Sequence, residues 1–243
     1  MISVVIPTLN AQAALPATLE ALVPGVIEGH VRELIIVDGG SSDATLKIAD
    51  AVGATVIETR PSRGHQLGQG AVAARSDWLL FLHADTCLAA GWEAEAERFM
   101  SRVARERRPP AAEPSSPRDA KNMREAAAFR FALDDDGWVP RLWEMNVAFR
   151  CSAFGLPYGD QGLLISRDLY DAIGGFADIP LMEDVDIVRK VGRRRLRILK
   201  TAAVTSAERF HRAGYLRRSL KNMALVAAFR CGVSPERLAR WYA

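Results

Sequence analysis

Hydrophobic positions fall into short continuous runs near the amino end and into weaker, helically spaced ones later. Ile2 to Pro7 (ISVVIP), Glu33 to Val37 (ELIIV) and Trp78 to Leu82 (WLLFL) carry almost no polar alternation. Runs of this kind fit strands covered on both faces of a parallel sheet. Segments of helix length lie between them. Asn10 is placed to cap a helix through Leu22, with Pro16 in its first turn. Ala44 to Ala51 is a second helix, and a third leaves the polar loop Arg60–Gly70 and ends at Arg75. Ala54 to Glu58 adds a short strand. The order β-α-β-α-β-α-β with short links predicts an α/β fold with a doubly wound, mainly parallel sheet.

The later chain reads less sharply. A helix is predicted over Ala90–Arg107, strands over Ala126–Leu133 and Leu163–Ser166, and a helical, aromatic-rich stretch over Trp138–Phe154. Ser166 caps a helix over Arg167–Ile173 that Gly174-Gly175 ends. Glu183 opens another helix, Leu196 to Leu199 is a last strand, and Phe210 to Phe229 is an amphipathic helix. Ser234-Pro235 starts a short closing helix. Arg108 to Lys121 is rich in Pro, Ser, Ala and charge, so a mobile loop is expected over 108–122. The halves on either side are 1–107 and 123–200, with a basic helical extension over 201–243.

Charge separates the extension from the body. The net of +3 hides residues 187–243, which hold 15 Lys and Arg against two Glu. That suggests an anionic partner such as lipid headgroups, against the plainer alternative of a solvated face. No nucleic-acid-binding module is recognisable, so nucleic acid is not expected. Cys87, Cys151 and Cys231 form no C-x-x-C pair, which argues against zinc or a disulfide framework and for a reducing compartment. No leader or membrane-span pattern is present, so the expected location is cytoplasmic, with peripheral contact at the inner membrane face through 187–243.

Candidate chemistry sits at the ends of the apolar runs. Asp38 ends the second strand and is followed by Gly39-Gly40-Ser41-Ser42; Asp85 follows the WLLFL strand; Glu183, Asp184 and Asp186 open a helix. Ligands of open α/β sheets lie beyond the carboxyl ends of the strands. An Asp there can accept hydrogen bonds from a ribose or base, and Asp85 can ligate Mg²⁺ or Mn²⁺, hard cations that bind through one or two carboxylates plus substrate phosphates. Each Asp alone is equally well a cap or a strand terminator. For Glu183 and Asp186 the alternative is charge complementing a helix dipole. His65 and His211 are further candidates for phosphate contact, and Trp138, Trp143, Phe149 and Phe154 for a sugar ring, although aromatics so spaced are more often core.

In this order and spacing, VVIPTLNA, IIVDGGSSDAT, RGHQLGQGAVAARSDWLLFLHADT, GDQGLLISR and MEDVDIVRKV resemble family 2 glycosyltransferases of the GT-A fold. The HADT form resembles a small bacterial subgroup linked to modified-sugar, including arsenosugar, pathways. The resemblance implies a nucleotide-sugar donor, a small-molecule or lipid-linked acceptor, a divalent metal (Mg²⁺ or Mn²⁺) and inversion at the anomeric carbon. It places Pro7, Asn10, Asp38, Arg63, Gln66, Ala84 and Asp85 at the nucleotide sugar, with Asp85 on the metal and Asp184 as base beside Glu183. The departure is His83, where many members have the first Asp of D-x-D; it is either a ligand or diphosphate contact, or packed at the strand end. A nucleotide-sugar-binding module without turnover and a sugar nucleotidyltransferase are the alternatives. A dinucleotide-binding oxidoreductase is excluded, because the turn after the first strand reads PTLNAQAAL and has no G-x-G-x-x-G.

Overall fold

A computed structural model describes residues 1–107, 125–135, 137–154, 157, 159–206 and 215–242. One eight-stranded sheet runs through it, in the order β3-β2-β1-β4-β7-β6-β8-β5. Its strands are β1 (Ile2–Thr8), β2 (Val31–Asp38), β3 (Thr55–Glu58), β4 (Trp78–Phe81), β5 (Thr86–Leu88), β6 (Ala126–Asp134), β7 (Leu163–Ser166) and β8 (Leu196–Ser206). β3, β2, β1 and β4 are mutually parallel, as are β6 and β8. β7 is antiparallel to both β4 and β6, and β5 to β8. The mainly parallel reading therefore holds for the amino half, and the carboxyl half is mixed.

Alternate residues of the unbroken apolar strands feed opposite faces. Val4, Ile6, Ile36 and Leu80 enter one core cluster with the fully buried Trp92. Val5, Ile35, Val37, Leu79 and Phe81 enter a second cluster on the other face. Both faces are covered, which is why polar alternation is missing.

The helices depart from expectation at the amino end. The helix expected from Asn10 to Leu22 shortens to α1 (Leu15–Glu20), and a second short helix, α2 (Val23–Ile27), follows it; each has Pro at its first or second position. Asn10 caps neither. It holds a left-handed φ of 50°, and its Oδ1 accepts from the Ser42 N–H at 2.9 Å and the Ser42 hydroxyl at 3.3 Å. Asn tolerates that conformation better than most residues. α3 (Thr45–Ala51) follows β2 as expected.

The glycine-punctuated stretch after Arg60 is helical from its fourth residue, as α4 (Arg63–Ala73). Two of its three glycines serve close approach. A Cβ on Gly64 would lie 2.1 Å from the Ala177 carbonyl oxygen, and one on Gly70 2.3 Å from Val5 Cγ1. α5 (Trp92–Arg107) covers the first core cluster, and Trp92 Nε1 donates to the Ala21 carbonyl at 2.9 Å.

Beyond it come α6 (Trp138–Phe154), α7 (Arg167–Ala172, capped by the Ser166 hydroxyl), α8 (Glu183–Val191), α9 (Tyr215–Arg230) and α10 (Pro235–Tyr242). β8 continues seven residues past the predicted Leu199, so the segment taken as a helical extension begins as a strand. The expected 108–122 loop lies outside the described residues. Among those described, no helix is long and apolar enough to cross a membrane.

Candidate active site

The end of β1 and the segment after β4 meet α4 at a cleft of about 510 Å³ lined by Pro7, Asn10, Arg63, Gln66, Ala84 and Asp85, with His83 beside them. Six of the seven residues expected at the nucleotide sugar are thus brought together. The donor side is stitched by hydrogen bonds. Gln66 Nε2 donates to the carbonyls of Thr8 (2.9 Å) and Val37 (2.8 Å), tying α4 to the ends of β1 and β2. Asn10 N–H donates to the Ser41 hydroxyl, and the Ala44 N–H to Gln12 Oε1.

The seventh residue, Asp38, does not line the cleft. It is 0 % exposed, and its carboxylate accepts from the Thr8 hydroxyl (2.8 Å), the Gly40 N–H (2.8 Å), and the N–H (2.6 Å) and hydroxyl (2.5 Å) of Ser41. Burial alone would raise its pKa, but the bonds from Ser41, Thr8 and Gly40 outweigh it and hold the group below the usual carboxylate value. In this geometry Asp38 shapes the Gly39–Ser42 turn, and direct contact with a ribose would require it to release one of these bonds.

On the far side of His83 the chemistry changes. Asp184 stands in the first turn of α8; its Oδ2 accepts from the Gly159 N–H at 2.8 Å and its Oδ1 from the Val185 N–H at 2.7 Å. Met182, just before the helix, holds a left-handed φ of 69°, a strained conformation for a non-glycine residue of the kind that clusters at functional sites. A Cβ on Gly159 would lie 2.5 Å from His83 Nε2, so only glycine lets the ring sit there. His83 therefore does two things: it packs against Gly159 and it borders the cleft.

Glu183 is 1 % exposed. Its Oε1 lies 3.8 Å from the Arg63 guanidinium and its Oε2 has no hydrogen-bond partner. Burial first, then the neighbouring Asp184, push its pKa up to about 7, with Arg63 opposing. Asp186 pairs with Lys190 along the helix at 2.8 Å.

One residue went unassigned in the sequence. Asp160 follows Gly159, and its Oδ1 is buried without a partner. Burial, with Asp184 and Asp85 nearby and Arg150 opposing, pushes it up to about 6. Its only sequence signal was its place in the GDQG turn. Other candidates fall elsewhere. His65 and Arg60 both contact Asp178, His65 at 3.3 Å, and so clasp the loop before α8. Trp138 is 75 % exposed and is not core, whereas Trp143 packs against Phe131, Leu133, Val147 and Cys151. His211 and the side chains of Phe149 and Phe154 lie outside the description.

Among the described residues no three His, Cys, Asp or Glu side chains form a ready metal cage. The donor set still suits a hard cation: Asp85 offers carboxylate oxygen at the cleft, and Mg²⁺ or Mn²⁺ commonly takes one or two carboxylates and completes its shell with substrate phosphate and water.

Residues 3–102 match the family model for Glycosyl transferase family 2. A PGL/p-HBAD biosynthesis glycosyltransferase of Mycobacterium bovis is 38% identical over 95 residues, 36% of each chain. Glucosyl-3-phosphoglycerate synthase of Mycobacterium tuberculosis is 34% identical over 93 residues, 35% of this chain and 28% of that protein. The match thus spans about a third of these relatives' own length.

In structure, TarS 1–349 of S. aureus covers 98% of this chain and 68% of its own, with TM-score 0.62 and 15% identity. The M. tuberculosis synthase in complex with Mn²⁺, UDP and glucosyl-3-phosphoglycerate covers 96% of this chain and 80% of its own, with TM-score 0.57 and 20% identity. Residues 3–102 thus form a Glycosyl transferase family 2 domain, in a chain whose fold is that of the GT-A glycosyltransferases.

Proposed function

We propose that this protein is an inverting glycosyltransferase that moves a sugar from a nucleoside diphosphate donor to a hydroxyl acceptor. The observation that carries the reading is the cleft itself, where Pro7, Asn10, Arg63, Gln66, Ala84 and Asp85 converge from three separate segments of the chain. Glu183 and Asp184 stand beside it, across His83 and Gly159. The relatives named as glycosyltransferases, and the UDP and Mn²⁺ bound by the M. tuberculosis synthase, support the same reading. In it, residues 1–107 hold the donor and 123–200 supply the base.

A sugar hydroxyl is a weak nucleophile, so its proton must leave as it attacks C1. Asp184 takes that proton. The Gly159 and Val185 N–H groups fix its two oxygens before any substrate arrives, so little reorganisation remains for the reaction step. Attack from the Asp184 side, with the nucleotide leaving on the Asp85 side, inverts the anomeric centre. Arg63 borders both spaces and faces the negative charge that gathers on the departing diphosphate. Asp85 would hold Mg²⁺ or Mn²⁺, which supplies charge stabilisation to that leaving group. In this reading the HADT form supports membership of the modified-sugar subgroup.

The expected location is cytoplasmic. A peripheral contact with anionic membrane is supported by the exposed Met223 and Trp241, which accompany exposed Arg230, Arg237 and Arg240 on α9 and α10. Salt-sensitive sedimentation with anionic liposomes tests that contact, and its absence at low salt excludes it.

For the transferase itself, the protein is incubated with a panel of nucleotide sugars, with Mn²⁺ and with EDTA. Metal-dependent release of nucleoside diphosphate from at least one donor is expected. Tight donor binding without release from any of them would instead identify a binding module.

A further inference from the structure

The acceptor is left undefined by the donor cleft, but the surface beside Asp184 is shaped for one. α9 and α10 fold back onto α8: Leu225 and Leu238 are buried with Met182 and Val185. Lys221 Nζ donates to the Tyr242 carbonyl at 3.0 Å and lies 5.5 Å from the centre of its ring, which fixes α10 against α9. Between these helices and the start of α8 is a second pocket of about 90 Å³, walled by Glu183, Asp184, Asn222, Val226 and Tyr242. Tyr242 and Arg63 also border the donor cleft, so Tyr242 stands where the two spaces meet.

Three observations say what the pocket takes. Glu183, 1 % exposed, brings to it a carboxylate whose Oε2 lacks a donor, and a buried acceptor left so carries a free-energy cost that a ligand hydroxyl would relieve. Its polar partners are Asp184 and the Asn222 amide, with Val226 and Met182 as an apolar wall. That mixture suits a compact molecule with several hydroxyls and a carbon face. Among its described lining residues Arg63 is the only cation, and it already faces Glu183 at 3.8 Å. With the Asp184 carboxylate in the wall and that guanidinium already engaged by Glu183, the pocket disfavours an anionic ligand such as the phosphoglyceric acid bound by the M. tuberculosis synthase. At about 90 Å³, against the ~10–15 Å³ of the same measure that one water needs, the pocket has room for a compact ligand of several heavy atoms.

Resting on the transferase reading, we infer that the pocket between α8, α9 and α10 is the acceptor subsite, that it takes a small uncharged polyol, and that Tyr242 is its specificity-determining residue. The acceptor hydroxyl nearest Asp184 gives up its proton to that carboxylate and bonds to C1 as the C1–diphosphate bond breaks, so the leaving group departs with the electron pair. Tyr242 closes the space over that hydroxyl against water.

Two measurements test this together. Crystals of the full chain with UDP are soaked with erythritol or, separately, with 3-phosphoglycerate. Erythritol is expected between Asn222 and Tyr242 with a hydroxyl within hydrogen-bond distance of Glu183 Oε2, and phosphoglycerate is expected to be absent. Erythritol missing from the pocket, or phosphoglycerate filling it, overturns the inference.

The second measurement uses any donor the wild type turns over. Tyr242→Ala should raise nucleoside diphosphate release to water about tenfold and flatten the ranking of a polyol panel, while Tyr242→Phe keeps both near wild type. Glu236→Gln, at an exposed position of the same helix, is the control. An unchanged ranking and unchanged water leakage in a folded Tyr242→Ala protein contradict the role of Tyr242. Erythritol in the pocket with no turnover of any donor would instead sink the transferase reading and leave the subsite standing.

Discussion

Asp38 and Glu183 are both almost wholly buried carboxylates at the edge of one cleft, and they are built in opposite ways. Asp38 receives four hydrogen bonds, which hold its pKa down against burial. Glu183 has one oxygen without a partner and a pKa pushed up to about 7. The donor side is thus satisfied before substrate arrives, and the acceptor side carries electrostatic cost. That asymmetry suits a site that grips one substrate by a preformed frame and reserves unspent polar groups for the other. Binding energy held back for the reacting centre is what accelerates a chemical step.

The largest expected effect breaks the donor side at its cation contact. Asp85→Asn should lower metal-dependent turnover at least about a hundredfold, since removing one electrostatic stabiliser of developing charge typically costs that much. Turnover would be compared with Mn²⁺ and EDTA; a variant equal to wild type would detach Asp85 from the leaving group.

Next is the frame itself. Asp38→Ala strands the donors of the Gly39–Ser42 turn and should cost about 3 kcal/mol of stability by denaturant unfolding, with UDP affinity falling as the turn loosens. A full pH series sharpens this. Because the folded state holds the Asp38 pKa below its unfolded value, its stabilisation is complete above the unfolded pKa and disappears as pH falls through the folded one. Asp38→Asn should therefore flatten the acid limb of the stability curve.

A smaller effect of opposite sign is expected on the other side. The folded state raises the Glu183 pKa, so it binds this proton more tightly than the unfolded chain. Stability then declines as pH rises from about 4.5 through about 7. Glu183→Gln removes that decline, and its melting temperature should exceed wild type by about 5 °C at pH 8 and by little at pH 4. Equal shifts at both pH values would show that the Arg63 contact, and not proton linkage, dominates at this position.

Legibility in the sequence follows the same division. The donor side comes from consecutive β-α-β units, so unbroken apolar runs locate the strand ends and the residues after them. Where local chemistry competed, the pattern misled: α1 starts only at Leu15, with Pro16 in its first turn, and Asn10 is drawn to Ser42 instead of capping. Gly64 and Gly70 of α4 look like loop punctuation but answer close approach to Ala177 and Val5, which only the folded chain contains.

On the acceptor side the contributors are distant in sequence. β5 is three residues long and is recognisable only through its pairing with β8. Asp160 lies in an ordinary turn. Asn222, Val226 and Tyr242 reach Glu183 only because Leu225 and Leu238 bury against Met182 and Val185. No periodicity in one segment encodes that meeting.

The most direct test of the division between a gripping side and a reacting side is Asp184→Asn, with UDP affinity and single-turnover transfer measured on the same preparation. UDP affinity is expected to stay within about twofold of wild type while transfer falls at least about a hundredfold, the usual worth of a positioned base. Transfer within about threefold of wild type, or affinity falling in step with transfer, would contradict it.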